Sequence, residues 1–189
     1  MTTANRRTRE TDISLALELQ GSGRGRIATG IGFFDHMLTA LAAHGGLDME
    51  LSVQGDLHVD GHHTVEDVGI VLGKALGEEA AKLGPLARYG WAMIPMDEAL
   101  ALCSLDVCNR PFLVFEAGFA NPAVGQLDTC LVEEFFRALA MNAGITLHLS
   151  LLHGQNDHHR IEALFKAFAH ALKQAKQPAE GTLSTKGVL

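Results

Sequence analysis

The chain has 189 residues, 47% hydrophobic and 20% charged, which is the balance of one globular domain or of two small packed halves. Its net charge of −7, without any basic stripe, argues against nucleic acid as a partner. No apolar run approaches the ~18 residues of a membrane span. The N-terminal MTTANRRTRE has no apolar leader core, and Cys103, Cys108 and Cys130 form no C-x-x-C pair, so a reducing, cytoplasmic setting is expected.

Residues 1–9 are polar and read as loose chain. From Arg9 to Gln20, Ile13, Leu15, Leu17 and Leu19 alternate with Ser14, Ala16 and Glu18, the pattern of a half-buried strand. The glycines of 21–25 predict a turn and a short hairpin strand after it. A helix is expected from Phe33 to His44, ended by Gly45-Gly46. A strand over Asp48–Gln54 follows. A long helix should then run from His62 to about Leu83, stopped by Gly84-Pro85. The second half predicts strands over Met96–Val107, Phe112–Phe119 and Ile145–Leu151. Its helices are expected over Leu131–Met141 and from His158 to about Lys176.

Two of these helices open on the same motif. His62-His63-Thr64-Val65-Glu66 and His158-His159-Arg160-Ile161-Glu162 both read His-His-x-x-Glu. Positions i and i+4 share a helix face, so His62 with Glu66, and His158 with Glu162, form a bidentate grip on a cation. The middle residues His63 and His159 point about 100° away and are free to serve a second ion. Four helical imidazoles without partners would be costly to bury, whereas histidine and carboxylate together suit a divalent metal.

The rest of the pattern is also duplicated. At an offset of 98, 41–47 lies over 139–145, and at 96 the first motif lies over the second. The expected fold is α+β, a tandem duplication of a unit with strands on one side and two helices on the other. The repeats cover about 8–92 and 93–178 of a single domain, with the helices packed between two sheets and a tail over 179–189. The same offset places His36 over Glu134. Quasi-symmetry then gives one metal His62, Glu66, Glu134 and His159, and the other His158, Glu162, His36 and His63. Thiolate-free sets of this kind suit Mn²⁺, Fe²⁺ or Zn²⁺. His58, His148, His153 and His170 read as core or surface residues, and His44 shares a face with His36.

Thr29-Gly30-Ile31-Gly32-Phe33-Phe34-Asp35-His36-Met37-Leu38, Gly55-Asp56-Leu57-His58-Val59-Asp60, Pro95-Met96-Asp97-Glu98-Ala99-Leu100, Phe165-Lys166-Ala167 and Ser184-Thr185-Lys186-Gly187 carry a resemblance over nearly the whole chain. It resembles the imidazoleglycerol-phosphate dehydratases of histidine biosynthesis. The resemblance implies a fold like domain 2 of ribosomal protein S5, 24 subunits, and two Mn²⁺ in each active site at subunit interfaces. It implies dehydration of imidazole glycerol phosphate to imidazole acetol phosphate. It also implies that Glu10 is the general acid/base, grouped with Glu66 and Glu162 as catalytic. Substrate contacts would come from Glu10, His36 and His44, with a phosphate clamp of Arg88, Arg110, Lys166, Ser184 and Lys186. The chain departs from the family pattern at three places. Glu134 replaces a common histidine, Cys108-Asn109-Arg110-Pro111 replaces Ser-Gly-Arg-Pro, and Leu183 replaces a proline. The rival readings are a dinuclear metal phosphohydrolase and a non-catalytic metal-binding assembly. The first would release inorganic phosphate, and the second would have no use for the arginines.

Overall fold

The computed structural model describes residues 1–181, so Leu183, Ser184 and Lys186 lie outside the described residues. The first half contains β1 (Thr2–Arg7), β2 (Thr11–Glu18), β3 (Gly25–Ala28), α1 (Gly32–Gly45), β4 (Asp48–Gly55) and α2 (His62–Lys82). The second contains β5 (Tyr89–Met96), β6 (Ala99–Val107), β7 (Phe112–Glu116), β8 (Ala123–Val124), β9 (Leu127–Asp128), α3 (Leu131–Ala143), β10 (Ile145–His153) and α4 (Asp157–Ala175).

The sheets have matching orders, β1-β2-β4-β3 and β5-β6-β10-β7. In each, the last-named strand runs parallel to its neighbour and the other pairings are antiparallel. The helices fill the space between the sheets, with α2 against α3 and α1 against α4. Phe34, Phe135, Phe136, Phe165 and Phe168 are fully buried there, and Phe135 stacks on Phe165 with ring centroids 5.3 Å apart. The α+β duplication expected from the sequence is the observed fold. Its symmetry reaches the caps. Gly46 (φ 63°) and Gly144 (φ 68°) end α1 and α3 in the left-handed region, where a side chain is strained.

Three local expectations are corrected. The first residues are not loose: Thr2–Arg7 is an edge strand paired with β2. Two of its three inward positions are polar: Thr2 donates to Glu79 and Arg6 pairs with Asp67, while Ala4 between them packs on the core. Alternation of apolar residues therefore never appears. The strand after the glycine turn forms no hairpin with β2, but pairs in parallel with β4 across α1. Tyr89–Met96 was not expected as a strand. It presents small Gly90 and Ala92 to α4 and leaves Tyr89, Trp91 and Met93 exposed on the outer face.

The strand registers refine the repeat. Leu17 faces Met49, and Leu105 faces Leu147. The offset is therefore 88 through the first three strands of each half (Leu17 to Leu105) and 98 by β4 and β10 (Met49 to Leu147). The ten extra residues fall between β7 and α3, where β8 and β9 form a small ribbon. The loop before that ribbon latches onto the start of α4: the buried Asp157 carboxylate accepts from the N–H groups of Ala120 (3.0 Å) and Asn121 (2.7 Å).

Candidate metal centre and catalytic groups

Each motif helix begins the same way. The His62 N–H donates to Asp60 Oδ1 at 2.8 Å, and the His158 N–H donates to Asn156 Oδ1 at 2.9 Å. These side chains satisfy a backbone donor at the helix start and fix the first turn, which carries the two histidines.

The packing of α1 on α4 brings His36 to the second motif. His158 Nε2 lies 3.1 Å from Glu162 Oε2, and His36 Nε2 lies 3.5 Å from the same oxygen. One donor atom from each of these three residues falls within 4.8 Å of the others, a spacing suited to holding one divalent ion. His36 and His158 are exposed or half-exposed on one side, while Glu162 is buried beneath them. Burial acts to raise the Glu162 pKa, but Lys166 Nζ, 2.7 Å from Oε1, and His158 outweigh it and keep the carboxyl below its ordinary value. Phe33 packs over the His158 ring at 4.9 Å.

The other expected set is only partly assembled within one chain. His62 Nε2 and Glu66 Oε2 are 3.8 Å apart, the i, i+4 pair that the motif predicts. Glu134 instead lies 3.6 Å from Arg137. The middle histidines turn away from both clusters. His63 Nδ1 is 3.0 Å from Asp56, and His159 Nδ1 is 2.7 Å from Glu98. Those carboxylates are the leading cause of the raised pKa of both rings. Glu10, just before β2, has an exposed carboxylate 3.8 Å from His63 Nε2. Asp56 and Glu98 were not among the expected site residues. Their signal is the spacing of acids against a structure, not a motif.

The other expected substrate-binding residues among those described divide into two groups. Lys166 bridges to Glu162 beside the histidine–carboxylate cluster, and His44 Nδ1 faces His170 Nε2 at 3.2 Å two turns along. Arg88 and Arg110 lie elsewhere. Arg88 grips Asp106 with Nε at 2.6 Å and Nη2 at 3.0 Å, and Arg110 lies 3.5 Å from the same carboxylate. The Arg88 N–H donates to the Ala175 carbonyl at the end of α4. His158 stands at the start of that helix, about 26 Å away at 1.5 Å per residue. Asn109, at the family's glycine position, has φ 56°, a conformation that asparagine tolerates better than most residues. A cavity of about 590 Å³ opens at this end, lined by Lys74, Glu78, Asn109 and Asn142 among others, and no histidine among the described residues borders it.

A duplicated α+β domain with a histidine–carboxylate cluster where its halves meet is the class that fold and site define. Residues 29–172 match the family model described as imidazoleglycerol-phosphate dehydratase. The chain is 55% identical over 188 residues to the imidazoleglycerol-phosphate dehydratase of Alkaliphilus metalliredigens, covering 98% of this chain and 96% of that one. It is also 55% identical over 186 residues to that of Methanosarcina barkeri, covering 98% and 97%. Its structure is similar to the crystal structure of the Staphylococcus aureus dehydratase (TM-score 0.84, 41% identity, covering 95% of this chain and all of that one). It is similar as well to that of the Pyrococcus furiosus protein in complex with (S)-C348 (TM-score 0.86, 39% identity, 98% and 100%). The chain belongs to the imidazoleglycerol-phosphate dehydratase family, and is thereby a hydro-lyase of histidine biosynthesis.

Proposed function

We propose that the chain removes water from imidazole glycerol phosphate to give imidazole acetol phosphate. The proposed site uses two Mn²⁺ ions and lies between subunits of a cytoplasmic 24-subunit particle. The observation that carries the metal-dependent reading is the meeting of His36 from the first half with His158 and Glu162 from the second. A hard divalent ion fits that mixed nitrogen and oxygen set. His62 with Glu66, Glu134, and the outward-turned His63 and His159 are the remaining donors.

Bound metal supplies Lewis acidity that stabilises negative charge on the substrate's imidazole ring. The chain's own groups do the rest. The hydroxyl on the carbon beside the ring must leave as water, and the next carbon must lose a proton before the enol becomes a ketone. Glu10 is an exposed carboxylate beside the motif histidines and is suited to carry that proton. Lys166 places a cation one ion pair away from Glu162, where it can meet the phosphate or neutralise the buried acid. Guanidinium forks such as Arg88 and Arg110 suit bidentate phosphate binding.

The separation of these arginines from His158 supports a site shared between subunits. A triose-phosphate-sized substrate cannot span the length of α4, so both ends serve one molecule only if they come from different copies. Tyr89, Trp91 and Met93 form an exposed apolar stripe on the outside of the second sheet, which favours self-association. The test is metal dependence. Protein stripped by chelator should be inactive on imidazole glycerol phosphate, and Mn²⁺ should restore ketone formation. Full activity after verified metal removal would overturn the proposal.

A further inference from the structure

The repeat contains one carboxylate in two forms. The offset of 88 that pairs Leu17 with Leu105 makes Glu10 and Glu98 twins, each placed just before its strand, β2 or β6. Each twin lies beside the middle histidine of its own half, yet the two are held differently. Glu98 Oε1 accepts the N–H groups of Gln155 at 3.0 Å and Asn156 at 2.8 Å, and Oε2 meets His159 Nδ1 at 2.7 Å. These three bonds engage both oxygens of the Glu98 carboxylate. A carboxylate whose two oxygens are already engaged has less accepting capacity left for a substrate proton.

In the first half a different residue takes that place. Asp56 follows β4, its N–H is bonded to the Glu10 carbonyl at 3.0 Å, and its carboxylate reaches His63 Nδ1 at 3.0 and 3.2 Å. Glu10 is left facing the opposite ring nitrogen at 3.8 Å, with its carboxylate in solvent. A carboxylate only accepts, so the nitrogen it meets in a neutral imidazole must carry the hydrogen. The lone pair then sits on the other nitrogen, the form that a metal requires.

We propose that Asp56 and Glu98 are positioning residues that fix His63 and His159 through Nδ1, so that Nε2 of each ring is the metal-binding atom. By the same division, Glu10 alone of the twin glutamates is left free for proton transfer. The inference rests on the metal-dependent reading above and adds to it which nitrogen binds and why one twin, not both, does the chemistry.

Mn²⁺ affinity, measured by competition with a fluorescent chelator, tests it alongside steady-state kinetics. Asp56→Ala and Glu98→Ala should each weaken Mn²⁺ binding about ten- to a hundred-fold. Asp56→Asn, which keeps an acceptor for Nδ1–H, should recover part of the loss. Glu10→Gln should bind Mn²⁺ as the wild type does and lose kcat. Asp56 decides the matter if Glu98→Ala unfolds, because its carboxylate bonds, among the described residues, go to His63. Wild-type Mn²⁺ affinity in Asp56→Ala while His158→Ala loses metal would overturn this inference alone. Unchanged Mn²⁺ binding in His158→Ala would overturn the metal reading beneath it. An equal loss of Mn²⁺ affinity in Glu10→Gln would make Glu10 a metal-holding group and overturn the division of roles.

Discussion

Arg110 and His158 lie at opposite ends of the second half, so an impaired and an inactive variant should rescue one another. Arg110→Ala removes one charged hydrogen bond to phosphate, about 1.5–3 kcal/mol, which is roughly a ten- to hundred-fold loss of kcat/KM. His158→Ala removes a donor from the cluster it forms with His36 and Glu162 and should leave no turnover. Suppose the two variants co-assemble at random in equal amounts. A site drawing Arg110 from one subunit and His158 from another is intact only when each donor happens to be the right variant. That occurs in about a quarter of sites in a symmetric oligomer. A site built within one chain is never intact, because every chain lacks one of the two. Co-expression with separable tags yields particles containing both variants, whose rate is read at substrate far below KM. About a quarter of wild-type activity is expected. A rate no higher than the mean of the two parent variants would refute the shared site.

The fold and the proposed metals lead to three further expectations. A methyl group at Gly90 would sit 1.9 Å from the Ala171 carbonyl oxygen, so Gly90→Ala should force α4 away from β5 and cost at least the upper part of the ~1–3 kcal/mol usual for overpacking, read by denaturant unfolding. His44 and His170 both have lowered pKa values, chiefly through burial and then through nearby lysines. The unfolded chain therefore takes up protons first, and the metal-free protein should lose stability as pH falls below the unfolded value of about 6.5. His170→Phe should flatten that slope in thermal unfolding, and an unchanged slope would remove the pair as its source. Chelation should dissociate the oligomer and Mn²⁺ should restore it, because metal shared between chains is also an interface element. Light scattering showing unchanged mass after metal removal would contradict that.

The sequence revealed most where burial imposes a period. Ile13, Leu15, Leu17 and Leu19 alternate because one face of β2 is covered by helices. The double glycine after His44 ends α1 because Gly46 is left-handed. The strand of residues 2–7 was hidden because its inner face meets buried Glu79 and Asp67, so Thr2 and Arg6 replace apolar residues. The strand of 89–96 was hidden because Gly90 and Ala92 are small where α4 presses close, while Trp91 faces outward. The motif spacing put His62 with Glu66 and His158 with Glu162, and the repeat put His36 with the second motif; in the structure these pairs lie 3.8, 3.1 and, for His36 to Glu162, 3.5 Å apart. The kinship of Glu10 and Glu98 was invisible, because the ribbon inserted before α3 shifts the offset from 88 to 98 between strands and helices. The carboxylates on Nδ1 of His63 and His159 were missed for a related reason. Asp56 and Glu98 reach those rings by tertiary contact and occupy unrelated positions along the two repeats.

The central claim is that the histidine–carboxylate centre removes water from the substrate and leaves its phosphate untouched. Phosphorus NMR of Mn²⁺-loaded protein incubated with imidazole glycerol phosphate tests this most directly, with ketone absorbance followed in the same tube. The account predicts that the phosphate ester signal is kept in full while a phosphorylated ketone accumulates. Release of inorganic phosphate without ketone would contradict it and make the centre a phosphohydrolase.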